Sequence, residues 1–499
     1  MLARRDAEDS GSGTKAAHFV FVPLREQGHL IPAVDTALLL ATHGALCTIV
    51  GDPYTAALVR QTIEAAQAAG LAVRLAEFPL DYAESGLPEG ADRGDSVPAV
   101  HMSSYYRGMA LLCAPIESYL RANAPYPTCV VSDFVHPWTK ELAANLGVPR
   151  LTFFSMCAFG LLCQRNLERF NAYDGVQGSD EPVVVPGLEK RFVVTRAQAP
   201  GGSFFRGIPV PWWEDFADYV ERAQAEADGI IINTFLELEA EYVAAFAAAR
   251  DMKVWTVGPV SMYHMSRTTL ASTLASRGLR ASVIDPDECH QWLDGKEPGS
   301  VVYVCFGSIS QAEAKQVVEL GLGLEASGHP FIWAVKNAGE YDETVREFLR
   351  DLEARVAGRG LLLRGWAPQL LILSHDAVGG FVTHCGWNST LEAITAGLPV
   401  VTWPHFVDQF LNEKMAVEVL GIGVSVGVKE PLTYQVTKKE ILVGRDVVEA
   451  AVRSVMGGSE DAEDRRRRAR ALASKAQLAT QIGGSSHGNL QDLVKRFEA

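Results

Sequence analysis

Residues Phe381 to Ala393 read FVTHCGWNSTLEA. An apolar, strand-like run meets a corner of His, Cys, Gly, Trp, Asn and Ser, and a helix-like run follows. A strand-to-helix corner of this kind serves as a capped turn, a metal site, a nucleophile elbow or a phosphate cradle. Gly380 to Thr383 delivers the chain to His384, and the helix is expected to start near Ser389. Gly386 relieves crowding where backbone must approach a ligand. Asn388 and Ser389 stand at the helix N-terminus, where free N–H groups and the dipole favour an anion. His384 and the indole N–H of Trp387 add donors. A capping box formed by Ser389 and Glu392 is the competing, purely structural reading. Zinc is disfavoured, since His384 and Cys385 are adjacent and no second ligand pair stands at suitable spacing.

On both sides of this corner, short β-rich runs alternate with helical stretches. His18 to Pro23, Leu46 to Val50, Cys129 to Val131, Pro149 to Phe154, Gly229 to Ile232 and Val254 to Val257 form one series of strands. A helix is expected over Ile31 to Ala41, with Pro32 near its first turn. The theme restarts at Ser300 to Phe306 and continues through Pro330 to Val335, Gly360 to Leu363, Gly380 to Thr383, Leu398 to Trp403 and Gly421 to Val428. Such alternation means βαβ units, hence an α/β fold of two doubly wound, Rossmann-like domains facing across a cleft. The expected division is a disordered tail (1–15), an N-terminal domain (16–258), a linker (259–285), a C-terminal domain (286–480) and a closing amphipathic helix (481–499).

The 499 residues exceed what one core usually supports, which agrees with two domains. A formal charge of −15 argues against nucleic acid or an anionic membrane as a partner. No secretory signal and no apolar run of membrane-spanning length occurs. Eight scattered cysteines without a CxxC pair disfavour a disulfide framework, so a cytoplasmic setting is expected. A monomer is expected as a separate matter. The GxSxG match at Gly484 to Gly488 lacks a preceding strand and enough following chain for a hydrolase triad. Gly321-Leu-Gly323 and Gly421-Ile-Gly423 do not complete a dinucleotide fingerprint. The run Arg465 to Arg468 reads as a solvated helix face or as an import signal.

The 44 residues from Trp366 to Gln409, WAPQLLILSHDAVGGFVTHCGWNSTLEAITAGLPVVTWPHFVDQ, closely resemble the signature box of plant family 1 UDP-glycosyltransferases, inverting enzymes of the GT-B class. The resemblance covers roughly residues 17 to 495. It implies that Trp366 stacks on uracil, with Gln369 and the Ala367 backbone on its polar edge. By the same resemblance Glu392 holds the ribose hydroxyls, and His384, Asn388, Ser389 and Ser308 bind the diphosphate. Trp387, Asp408 and Gln409 would contact the sugar. Gln27 to Pro32 (QGHLIP) matches the motif whose His is the general base, here His29, and Asp133 matches its partner aspartate. Leu24-Arg25-Glu26 replace the small residues usual before that motif.

The implied reaction is glucosyl transfer from UDP-glucose to a hydroxyl of a small lipophilic acceptor such as a flavonoid, terpenoid, steroid or hormone. It needs no cofactor and no metal. Acceptor loops are expected around Pro79 to Met102, Phe153 to Leu162 and Val194 to Trp213. Phe153, Phe154, Phe159, Phe204, Phe205, Trp212 and Trp213 would supply lipophilic surface. The rival readings are an inactive nucleotide-sugar binder and a nicotinamide dehydrogenase.

Overall fold

A computed structural model of the chain describes residues 16–91, 97–202, 206, 211–265, 286–307, 313–432 and 442–498. Its first sheet joins β1 (His18–Val22), β2 (Leu46–Gly51), β3 (Val73–Glu77), β4 (Cys129–Asp133), β5 (Arg150–Phe154), β8 (Gly229–Ile232) and β9 (Val254–Thr256). The strand order is β3-β2-β1-β4-β5-β8-β9, parallel throughout. Between these strands, β6 (Pro182–Val184) and β7 (Val193–Thr195) make a separate antiparallel pair. The second sheet is also parallel. It orders β10 (Val301–Cys305), β11 (Phe331–Ala334), β12 (Gly360–Leu363), β13 (Val378–Thr383), β14 (Val400–Thr402) and β15 (Gly423–Ser425) as β12-β11-β10-β13-β14-β15. Helices cover both faces of each sheet, which is why β1, β4, β5, β8 and β13 are buried along their whole length.

In each sheet the order reverses once, between β1 and β4 and between β10 and β13. Ligands of open α/β sheets bind outside the carboxyl ends of the strands at such a reversal. Val22 lies level with Ser132, and Cys305 with Thr383. The residues that leave these four strand ends therefore meet at two switch points.

Helix starts differ from those the apolar periodicity suggests. The first helix runs Gln27–Thr42, with Glu26 as its N-cap and the Glu26 carbonyl accepting from the N–H groups of His29 and Leu30 at 2.8 and 2.9 Å. The polar triplet Gln27-Gly28-His29 masks this first turn. Pro32, inside the helix, has no N–H to give the carbonyl of Gly28 four residues back. The later helix runs Trp387–Ala396 with Gly386 as N-cap, so Ser389 stands inside the first turn and no Ser389–Glu392 capping box forms.

The expected linker is partly domain. Val260, Ser261 and Tyr263 are buried, and Val260 and Tyr263 pack in the core beneath the first sheet. Residues 266–285, the tail at 1–15, Ser308 and Phe204 and Phe205 lie outside the described residues. The closing helix, Ser485–Arg496, crosses back to the N-terminal domain. Leu490, Leu493, Val494 and Phe497 enter its core, with the Phe497 ring edge-on to Phe19 at 5.7 Å. The arginine run lies in helix Glu460–Thr480. Arg465 donates to the Ser454 carbonyl, Arg466 to those of Val455 and Gly457, and Arg468 to that of Gly421. The bonds of Arg465 and Arg466 satisfy carbonyls at the end of the preceding helix, Arg445–Met456. No helix among the described residues is long and apolar enough to cross a membrane.

Candidate active site

At the first switch point, Nδ1 of His29 lies 2.8 Å from Oδ2 of Asp133. Asp133 ends β4 and is fully buried, and its Oδ1 also accepts from the Val135 N–H at 3.2 Å. The His29 side chain keeps 21% exposure. With Nδ1–H donated to the carboxylate, Nε2 is the ring nitrogen that can accept a proton. Burial pushes the imidazole pKa down, but the charge and hydrogen bond of Asp133, followed by the charges of Glu26 and Asp408, raise it above its ordinary value overall. Asp408 belongs to the other domain, so its pull on His29 spans the cleft.

Glu26, a departure from the family motif, is buried beside this pair, and burial lifts its carboxyl above the usual range. Arg25 lies beneath it, its guanidinium 4.3 Å from the Tyr54 ring centre and 5.6 Å from that of Tyr105. His136 is fully buried, with Nε2 on the Pro23 carbonyl at 3.3 Å and its pKa lowered by burial to about 4. It is a neutral packing residue.

At the second switch point, His384 follows β13 and packs against Gly307 at the end of β10. A Cβ on Gly307 (φ 75°) would meet the imidazole at 2.6 Å, and one on Gly386 would meet it at 2.5 Å. Both glycines exist to admit this ring. Burial holds the His384 pKa down to about 4, and its Nδ1 has no hydrogen-bond partner among the described residues. The next residue, Cys385, has φ 63°, a strained conformation held by the Asn412 amide on its carbonyl at 2.9 Å. The helix Trp387–Ala396 then begins, and its first N–H groups lack intrahelical partners. A neutral imidazole whose buried Nδ1 is unpaired among the described residues, beside a helix N-terminus, suits a diphosphate.

Gln369 joins the two ends of the box. Its Nε2 donates to Ser389 Oγ at 3.1 Å and to Glu392 Oε2 at 2.8 Å. Trp366 is partly exposed beside buried Ala367. Gln369, Ser389 and Glu392 thus form one hydrogen-bonded group.

Other polar groups point elsewhere. The Trp387 indole is buried and its N–H donates to the Asn233 carbonyl at 2.7 Å, so that donor is taken by the N-terminal domain. Asn388 turns both ends of its amide the same way: Oδ1 accepts from Asn233 Nδ2 at 3.1 Å, and Nδ2 donates to the Gly28 carbonyl. Gln409 is buried, and its Oε1 accepts from the backbone N–H groups of His405 (2.8 Å) and Phe406 (3.1 Å). Its Nε2 makes no hydrogen bond among the described residues. Asp408 Oδ2 accepts from Asn412 Nδ2 at 2.7 Å, and Val407 before it has φ 58°, a strained position for a β-branched residue. Asn233 and Asn412 are thus organisers that the sequence reading missed. Nothing local marks Asn233, whose side-chain partners are 27 and 155 residues away, and Asn412 joins nearby Asp408 to distant Cys385.

Among the described residues, the lipophilic wall is smaller than expected. Phe153, Phe154 and Phe159 are core residues, Phe159 lying edge-on to Phe192 at 4.8 Å and to Tyr242 at 5.0 Å. Trp212 is partly exposed and stacks on buried Trp213 at 4.0 Å. Among the described residues, His290, Asp294 and His375 are the one group with ligating atoms within 4.8 Å of one another. His375 precedes β13 whereas His384 follows it, so this trio sits at the opposite edge of the sheet from the cleft. The Ala377 N–H donates to His375 Nδ1, which leaves Nε2–H for Asp294.

The two switch points, one with a His–Asp pair and one with an anion cradle, define a GT-B transferase of nucleotide-activated sugars. Comparison with known proteins agrees. A family profile described as "UDP-glucoronosyl and UDP-glucosyl transferase" matches residues 242–442. UDP-glycosyltransferase 73C6 of Arabidopsis thaliana is 43% identical over 482 residues, 96% of each chain. UDP-glycosyltransferase 73E1 of Stevia rebaudiana is 43% identical over 485 residues, again 96% of each. The crystal structure of Glycyrrhiza uralensis UGT73P12 complexed with glycyrrhetinic acid 3-O-monoglucuronide matches with a TM-score of 0.87 at 35% identity, over 97% of this chain and 96% of that one. Phytolacca americana UGT2 complexed with UDP-2fluoro-glucose and pterostilbene matches with 0.74 at 25% identity, over 97% and 100%. This chain belongs to the plant family 1 UDP-glycosyltransferases, and it is a UDP-dependent glycosyltransferase.

Proposed function

We propose that the enzyme transfers glucose from UDP-glucose to a hydroxyl of a small lipophilic acceptor with inversion at the anomeric carbon. His29 is the general base and Asp133 orients it. The observation that carries this reading is the 2.8 Å bond from His29 Nδ1 to Asp133, which leaves Nε2 for the acceptor proton. The acceptor oxygen attacks the anomeric carbon as Nε2 takes its proton. The bond to the β-phosphate breaks, and UDP departs with the electron pair and is held at the start of helix Trp387–Ala396. The α-linked donor becomes a β-glucoside. General base assistance contributes ~10²–10⁴-fold, and alignment of the two substrates supplies much of the remainder.

Glu392 holds the donor's ribose and Ser389 its phosphates, with Trp366 as the base plate, Gln369 on the uracil edge, and Asp408 and Gln409 on the sugar. The acceptor is a flavonoid, terpenoid, steroid or hormone. What supports a small organic acceptor is that one solved neighbour is complexed with glycyrrhetinic acid 3-O-monoglucuronide and another with pterostilbene. A mass-spectrometric screen of such acceptors with UDP-glucose tests the proposal. A hexoside product that appears with wild type and not with His29→Ala is expected. UDP binding without transfer to any acceptor would instead mark an inactive nucleotide-sugar binder.

A further inference from the structure

We infer that Asn233 is a positioning residue that locks the turn carrying His29 onto the first turn of the donor-side helix, so one side chain sets both halves of the active site in register. The inference rests on His29 being the base. Asn233 follows β8 and is 2% exposed; its N–H closes on the Phe154 carbonyl at 3.1 Å, and three further bonds form the relay. Its carbonyl accepts from the Trp387 indole at 2.7 Å, its Oδ1 accepts from the Val260 N–H at 3.1 Å, and its Nδ2 donates to Asn388 Oδ1 at 3.1 Å. Asn388 Nδ2 then donates to the carbonyl of Gly28, the residue before His29.

The direction of this relay is determined. A backbone N–H can only donate, so the Val260 N–H requires the oxygen of the Asn233 amide and turns its nitrogen to Asn388. Asn388 must answer with its oxygen, which aims its own nitrogen at Gly28. The Gly28 carbonyl is available because the residue four places on is Pro32, which has no N–H to close the helical bond. The relay is also clamped from behind: a Cβ on Gly258 would meet Asn233 Oδ1 at 2.4 Å. Other bonds join the domains, such as Cys157 to Asn412 at 3.1 Å and Gln198 to the Lys429 carbonyl at 2.9 Å. Only the Asn233 relay, among those described, ends beside the base.

Asn233→Asp is the sharpest test. It keeps the side-chain shape and the Val260 bond but replaces the Asn388-facing donor by an acceptor. Asn388 must then either face oxygen with oxygen or rotate and present its oxygen to Gly28; both break the relay. Turnover would be compared on an aliphatic alcohol (geraniol) and an acidic phenol (2,4,5-trichlorophenol), with UDP affinity by calorimetry. A misplaced base should cost about 10- to 100-fold in kcat on the alcohol. The phenol, which loses its proton with little help, should lose no more than roughly 3-fold, and UDP affinity should stay within about the same factor.

Equal losses on both acceptors, or alcohol turnover near wild type, would overturn the inference. Pro32→Ala provides a variant that touches neither asparagine: it gives Gly28 a competing helical N–H and should shift the alcohol-to-phenol ratio in the same direction. His29→Ala, run alongside, separates the two readings. If it spares the alcohol, the base assignment has failed; if it abolishes alcohol transfer while Asn233→Asp does not, only the relay has failed.

Discussion

His29 and Asp133 leave strands β1 and β4 on opposite sides of one switch point and close to 2.8 Å across it. Neither residue could reach the other within a single βα unit. The reversal of strand order places a first-turn helix residue opposite a strand-terminal carboxylate, and the resulting pair faces the second domain. The second sheet repeats the device with Gly307 and His384, so a proton-accepting site and an anion site confront each other across the cleft.

The pair gives a signed pH prediction. Because the pKa of His29 is raised above 6.5, the folded enzyme holds its proton more tightly than a free imidazole, and the protonated ring cannot act as a base. The acidic limb of kcat/KM should therefore have its midpoint above about 6.5. Asp133→Asn removes the largest contribution opposing burial, so the limb should move to lower pH while the plateau falls by ~10²–10⁴-fold. A pH–rate profile on an aliphatic alcohol reads both effects. A limb that stays in place would separate Asp133 from the titration.

Divalent metal should be dispensable. The cradle offers a helix N-terminus and a neutral His384, neither of which needs a cation to receive a diphosphate. Initial rates in excess EDTA should equal those without it, and His290→Ala should retain activity. Loss on chelation, restored by magnesium or manganese, would sink the helix-terminus account.

The closing helix should stabilise the opposite domain from the one whose strands precede it in sequence. Phe497→Ala removes a ring buried against Phe19 and Trp255 and should destabilise the N-terminal domain by roughly 3 kcal/mol. Denaturant melting followed by tryptophan fluorescence would show it as an earlier first transition, with UDP affinity of the folded protein unchanged. Equal destabilisation of both domains would contradict this placement.

Donor choice should favour UDP-glucose over UDP-galactose and UDP-glucuronate. Asn412 orients the Asp408 carboxylate, and the turn at His405 and Phe406 occupies Gln409 Oε1, which leaves the Gln409 amide nitrogen as a fixed donor. A sugar with an inverted 4-hydroxyl would leave one of these groups poorly paired, at a cost of ~1–3 kcal/mol or about 5- to 150-fold in rate. Competition at equal donor concentrations would measure it. Preference for either rival would show that Gln409 does not set the donor.

What the sequence by itself determined was local. Alternating apolar strands and amphipathic helices specified two parallel sheets, and motif spacing around His29 and across Trp366 to Gln409 singled out the two corners. The early start of the first helix was hidden because its opening turn, Gln27-Gly28-His29, is polar and carries no apolar period. The aromatic wall was overestimated because a Phe in a βα unit is equally suited to the core, where Phe153, Phe154 and Phe159 lie.

Only the tertiary structure decided which polar ends remain for a ligand. Trp387 and Asn388 look like ligand donors in sequence, yet the Trp387 indole donates to the Asn233 carbonyl, 154 residues away, and the Asn388 amide donates to the Gly28 carbonyl while accepting from Asn233. The Asp133 that partners His29 is 104 residues distant. A buried donor or acceptor must be paired somewhere. With partners this remote, the folded topology settles the pairing, and the local motif does not.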